Sequence, residues 1–159
     1  MPEVFVGVGS NADPVRALRD ACAALGQRFG AVRCSSVYRS KAEGVPAADY
    51  LNMVVVFETR ASVEALGGVL HALETQAGRR RADPVVCELD LDLLLYGSRV
   101  DAGRGLPRER LFTATFVLGP LAELAPDLAH PVTGQSCRIA WQAASQGSLE
   151  NLGALRALR

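Results

Sequence analysis

Apolar and polar positions alternate from the start of the chain. Val4, Val6 and Val8 alternate with Phe5, Gly7 and Gly9, the period of a β-strand, until Gly9-Ser10-Asn11 interrupts it. Asp13 stands where a helix N-cap belongs and Pro14 suits the first turn. Val15, Leu18, Cys22, Leu25 and Phe29 then recur at helical spacing, predicting a helix over 14–29 that Gly30 stops. Residues 32–40 read as a second strand, and Gly44 and Pro46 make 41–48 a loop. A third strand follows over 50–58, its unbroken apolar run 53–57 predicting burial on both faces. Ser62 ahead of Val63, Leu66, Val69, Leu70 and Leu73 marks a capped amphipathic helix ending near Gly78. Next, Leu89, Leu91, Leu93 and Leu95 alternate with Glu88, Asp90, Asp92 and Leu94, a fourth strand. Weaker patterns predict a loop through Arg110, a short helix over 116–124 and another after Ser136.

The order strand, helix, strand, strand, helix, strand is that of an α+β, ferredoxin-like split βαβ fold. In it an antiparallel sheet carries both helices on one face and leaves the other open for a site. With 159 residues and 49% hydrophobic content the chain reads as one globular domain over 1–159. No internal repeat or low-complexity segment argues otherwise.

Charge removes several functions. Seventeen basic residues balance seventeen acidic ones, so no broad positive field is available for nucleic acid or anionic lipid. Anion binding falls to local clusters such as Arg79-Arg80-Arg81. Four scattered cysteines and two histidines lack zinc-site spacing and read as reduced thiols. No long apolar run is present, so a cytoplasmic protein, expected to be a monomer, is the reading.

Side chains two apart on a strand share a face, so Asp90 and Asp92 project together while the intervening leucines enter the core. Two converging carboxylates suit a hard cation such as magnesium, commonly held by one or two carboxylates plus substrate phosphates. The same pair also reads as a solvated surface patch or as one neutralised by Arg79 and Arg81. Glu88 shares the face by parity and reads best as an exposed strand end.

Six segments, in this order, resemble the 6-hydroxymethyl-7,8-dihydropterin pyrophosphokinase family. They are Gly9-Ser10-Asn11, Val37-Tyr38-Arg39-Ser40, Asp49-Tyr50-Leu51-Asn52, Glu74 with Gly78-Arg79, the run 89–97 and the run 116–126. The resemblance implies a ferredoxin-like fold and transfer of pyrophosphate from ATP to the pterin hydroxyl in folate synthesis. It also implies two magnesium ions on Asp90 and Asp92. By the same resemblance the pterin ring lies between Tyr50 and Phe116, read by Asn52 and by backbone near Ser40 and Gly44. Arg79 and Arg81 become catalytic loop arginines, and His71, Glu74, Arg108 and Arg110 nucleotide contacts.

The chain also departs from the family. Cys87 and Ala114 stand where phosphate-binding arginines are expected, and Arg108 where a histidine is expected. Arg104, Arg108 or Arg110 would compensate from new positions, or else are solvated loop residues. Two further readings therefore accompany the enzyme: a weakened paralogue that binds pterin and nucleotide, and a pyrophosphokinase for a modified pterin.

Overall fold

A computed structural model of the chain describes residues 1–44, 46–78, 85–144 and 147–159. Six strands form one antiparallel sheet: β1 (Glu3–Ser10), β2 (Arg33–Cys34), β3 (Val37–Ser40), β4 (Tyr50–Glu58), β5 (Asp90–Tyr96) and β6 (Glu150–Gly153). Their spatial order is β5-β1-β4-β3-β6, with β2 also paired to β4. The helices are α1 (Pro14–Phe29), α2 (Val63–Gln76), α3 (Thr115–Leu124) and α4 (Cys137–Ala143). Among the described residues no helix is long and apolar enough to cross a membrane.

Strand parity divides the interior into two cores. Val4, Val6 and Val8 of β1 and Met53, Val55 and Phe57 of β4 face α1 and α2, where Leu18, Leu25, Leu66 and Leu70 meet them. The intervening residues Phe5, Val54 and Val56 face the other way and pack with Leu118 and Leu121 of α3 and Cys137 and Ala140 of α4. The second face is therefore not left wholly open: α3 and α4 cover one end of it. Such covering is required because the apolar run of β4 exposes valines on both faces.

Local chemistry departs from pattern at four places. Asp13 adopts a left-handed backbone (φ 46°) and its side chain caps nothing, whereas Ser62 does cap α2, its Oγ accepting from the Ala65 N–H at 3.1 Å. The expected strand 32–40 is broken between β2 and β3 at Ser35. There the Ser35 N–H donates to the Val54 carbonyl at 2.9 Å, while Ser35 Oγ accepts from the Val54 N–H at 2.9 Å. A hydroxyl thus replaces a backbone carbonyl in the ladder. In β5 the pairing with β1 jumps from Val6↔Leu93 to Phe5↔Leu95, a β-bulge at Leu94. The extra residue turns Leu95 away from Leu91 and Leu93 and into the second core beside Leu94. Finally, β6 lies outside the predicted elements and adds an outer strand along β3.

Candidate active site

On the face that α3 and α4 share, the sheet beyond their cover carries polar groups in one cross-strand row. Asp90 of β5 pairs with Gly9 of β1, Gly9 with Asn52 of β4, and Asn52 with Tyr38 of β3. The next row holds Asp92 opposite Gly7. Antiparallel register thus brings the carboxylate strand within one glycine of the amide, though about forty residues of chain separate Asn52 from either partner.

Gly9 is required by this packing. A Cβ built there would lie 2.9 Å from Asn52 Oδ1, so only the missing side chain lets the amide lie across β1 toward Asp90. Asn52 is only 9% exposed and its Nδ2 donates to Ser40 Oγ at 2.8 Å, which fixes the amide plane. Ser40, Lys41, Ala42, Glu43, Tyr50, Asn52, Asp90 and Phe116 line one cavity of about 220 Å³. Tyr50 and Phe116 are half-buried and belong to neither core, which leaves ring surface for the cavity. Gly44 is exposed, with a left-handed φ of 78°, and is not among the lining residues.

Asp92 points from the same face. Burial and the neighbouring Asp90 charge push its carboxyl up to about 6, with Glu74 adding to the rise and Arg108 opposing it. The Arg108 guanidinium makes an ion pair with Asp92 at 3.0 Å. Arg110 instead pairs with Glu43 at 3.0 Å, and Arg104 is held by Asp101 at 3.1 Å and by Glu64. Of the three compensating arginines, Arg108 alone is joined to the carboxylate pair.

Other expected site residues lie elsewhere. Glu74 is 6% exposed, on the helix side of the sheet, and its Oε1 accepts from the Leu91 N–H at 2.9 Å. It braces the strand between the two aspartates from behind, satisfying an N–H of an outer strand. His71 sits on an exposed position of α2. Arg79 and Arg81 lie outside the described residues. Glu88 precedes β5 rather than belonging to it. It lines a larger cavity, about 530 Å³, between the start of α1 and the end of α2. The smaller cavity is the candidate site, because Asp90, Asn52, Tyr50 and Phe116 all line it and none of them lines the larger one.

The approach to β5 is held by Ser10 and Asn11, the residues that end β1 in the sequence pattern. The Cys87 N–H donates to Asn11 Oδ1 at 2.6 Å, the Asn11 N–H donates to the Cys87 carbonyl at 3.0 Å, and Asn11 Nδ2 donates to the Val85 carbonyl at 2.7 Å. Ser10 Oγ adds a bond to the Cys87 carbonyl at 3.3 Å. Cys87 itself is 8% exposed and Ala114 3%.

Comparison with known proteins decides the family. The family model for 7,8-dihydro-6-hydroxymethylpterin-pyrophosphokinase matches residues 5–126, a span that holds every group of the cavity and the carboxylate pair. The chain belongs to that family. A Synechocystis 2-amino-4-hydroxy-6-hydroxymethyldihydropteridine pyrophosphokinase is 40% identical over 137 residues, covering 82% of this chain and 70% of the relative. The Haemophilus influenzae protein of the same name is 36% identical over 138 residues, covering 82% and 86%. Among solved structures, the Plasmodium falciparum HPPK-DHPS chain superposes with a TM-score of 0.70 at 10% identity, a likeness of fold. It covers 89% of this chain but 44% of the Plasmodium chain, so this chain spans less than half of that protein. Within the pyrophosphokinase family the polar row Asp90–Gly9–Asn52 and its cavity form the candidate site of this member.

Proposed function

We propose that the cavity beside Asp90 is where this chain transfers pyrophosphate from ATP to the hydroxyl of 6-hydroxymethyl-7,8-dihydropterin, the reaction of its family. The observation that carries the reading is the register. It sets a paired carboxylate and an oriented amide on either side of a glycine, at the mouth of one small cavity with two aromatic rings.

The donor set fits magnesium. Asp90 and Asp92 are hard oxygen ligands, and among the described residues no larger cluster of His, Cys, Asp and Glu gathers, as suits a cation that completes its shell with phosphate and water. The raised Asp92 carboxyl also marks a site short of positive charge. Magnesium, two ions by the family pattern, would supply charge neutralisation and polarisation at the phosphate oxygens.

The protein's own groups orient the reactants. Tyr50 and Phe116 sandwich the pterin ring, and Asn52, locked by Ser40, reads its hydrogen-bonding edge. The hydroxymethyl oxygen is thereby held toward Asp90, in line for attack on the β-phosphorus of ATP, and AMP leaves. Arg108 can move from Asp92 to the phosphates and fork onto their oxygens, with Arg79 and Arg81 proposed for the same work. Glu74 acts from behind the strand, and His71 and Arg110 at the margin of the nucleotide.

Incubating the pure protein with ATP, magnesium and 6-hydroxymethyl-7,8-dihydropterin tests the reading: equal amounts of AMP and pterin diphosphate are expected. A second reading, a pterin- and nucleotide-binding protein with weakened catalysis, draws on the burial of Cys87 and Ala114 where arginines are expected. Pterin binding without AMP formation would favour it.

A further inference from the structure

Three sulfur atoms lie in a chain on the opposite side of the molecule from the cavity. Cys34 is exposed at the end of β2, Cys22 is half-buried on α1, and their Sγ atoms are 3.8 Å apart. Behind Cys22, at 3.7 Å, is the Sδ of Met53, only 1% exposed. The remaining thiols differ: Cys87 and Cys137 are both buried, and burial pushes the Cys137 thiol up to about 12.

We propose that Cys22 and Cys34 are an oxidation site, at which hydrogen peroxide converts the two thiols to a reversible disulfide joining α1 to β2. The exposed sulfur meets the oxidant and the sheltered one resolves it. Cys34 is the better nucleophile: it is the exposed member of the pair, and its contact with the Cys22 sulfur holds it below the ordinary thiol range, while the same partnership and burial push Cys22 up. The Cys34 thiolate attacks one peroxide oxygen, the O–O bond breaks, and the departing hydroxide takes a proton to become water. Cys34 is then a sulfenic acid. Cys22 sulfur attacks the Cys34 sulfur, the S–O bond breaks, and the leaving hydroxyl departs as water with the Cys22 proton. Two thiols lose two electrons and one peroxide becomes two waters.

The geometry admits the bond. The sulfurs must close from 3.8 Å to the ~2.0 Å of a disulfide, a movement within reach of side-chain rotation at the exposed Cys34. The crosslink would close a short loop through the end of α1, and it lies on the helix side of the sheet, away from Asp90 and Asn52. It should therefore stabilise the fold without altering the reaction.

The test treats the 159-residue protein with hydrogen peroxide, alkylates the remaining thiols and maps the peptides by mass spectrometry. The expected product lacks two hydrogens, contains a Cys22–Cys34 linked peptide, reverts with dithiothreitol, and melts roughly 5–10 °C higher than the reduced protein. Pyrophosphokinase activity should stay within about twofold, as befits a remote change. Cys34→Ser, a substitution at an exposed position, should abolish the crosslink and leave Cys22 unoxidised; Cys22→Ser should drive Cys34 on to sulfinic acid. Formation of Cys34 sulfinic acid, or of an intermolecular Cys34 disulfide, in the unmutated protein with Cys22 still alkylated would overturn the proposal.

Discussion

Gly9 and Asn52 illustrate how one missing carbon sets a site. In Gly9→Ala the new Cβ, 2.9 Å from Asn52 Oδ1, meets the movable end of a side chain, so the amide turns aside while the strand stays paired. Stability should fall by only ~1 kcal/mol. Pterin affinity measured by calorimetry with a non-hydrolysable ATP analogue should drop about tenfold, because a site that reads a hydrogen-bonding edge is sensitive to a misplaced partner. Equal losses of stability and affinity would point to a packing role alone. At the neighbouring carboxylates, Asp90→Asn and Asp92→Asn should each lower turnover by about 10²-fold or more with the fold retained, since each removes a charge proposed to hold the cation. Activity within about threefold of the parent protein would remove the pair from the site.

Asp92 also has a pH signature of its own. Its folded-state value, about 6, lies above its ordinary 3.8, so the folded chain holds this proton more tightly than the unfolded chain does. The associated stability is fully present below about pH 3.8 and is lost as pH rises through about 6. Without divalent ions, Asp92→Asn should therefore gain on the parent protein in melting temperature between about pH 4.5 and pH 7.5, the reverse of the usual loss on removing a carboxylate. A gap that stays constant across that range would show that Asp92 titrates as an ordinary carboxylate.

At the scale of elements, the position of β5 depends on a clasp outside any regular structure. Asn11 imitates a strand partner for Cys87 and Val85, so the segment entering β5 is tied to the end of β1 before its own ladder begins. Asn11→Ala removes these side-chain bonds, with a longer one to the Ala48 carbonyl at 3.4 Å, and leaves the Cys87 N–H without this acceptor; a loss of about 1–3 kcal/mol in denaturant unfolding is expected. The KM for ATP should rise with it, because the same segment leads from Arg79–Arg81 to Asp90. Burial of Cys87 weighs against placing an arginine there. Cys87→Arg puts a guanidinium into a position 8% exposed and should destabilise the protein by more than it helps phosphate binding. Ala114, at 3% exposure, faces the same obstacle.

For the whole molecule, two cores share one sheet and the cavity lies at the border of the second. Leu118 is fully buried in that core, and Leu118→Ala should cost about 2–5 kcal/mol of stability in denaturant unfolding. Phe116, two residues earlier on α3, reaches the cavity instead. Phe116→Ala and Tyr50→Ala should weaken pterin binding by about 1–3 kcal/mol each while the melting temperature changes less than for Leu118→Ala. If both aromatic variants unfold as readily as the leucine variant, the rings are core after all.

Much of this molecule is legible in periodicity, because alternation and helical spacing are local. The strands β1, β4 and β5, the helices α1 and α2, and the shared face of Asp90 and Asp92 follow from side-chain direction, which the backbone of each segment settles alone. The ordered motifs carried the family as well. What local pattern could not reach was pairing. That Asp90 meets Asn52 across Gly9, that Asn11 holds Cys87, and that Glu74 braces Leu91 from behind depends on register between segments tens of residues apart. The bulge at Leu94 is the sharpest case: strict alternation assigns Leu95 to the face of Leu93, but one unpaired residue reverses it, and the second core is built on that reversal. Periodicity reports which way a side chain points from its own strand; only the assembled sheet, where each strand's register is set by its neighbours and by the helices packed on it, decides what that side chain meets.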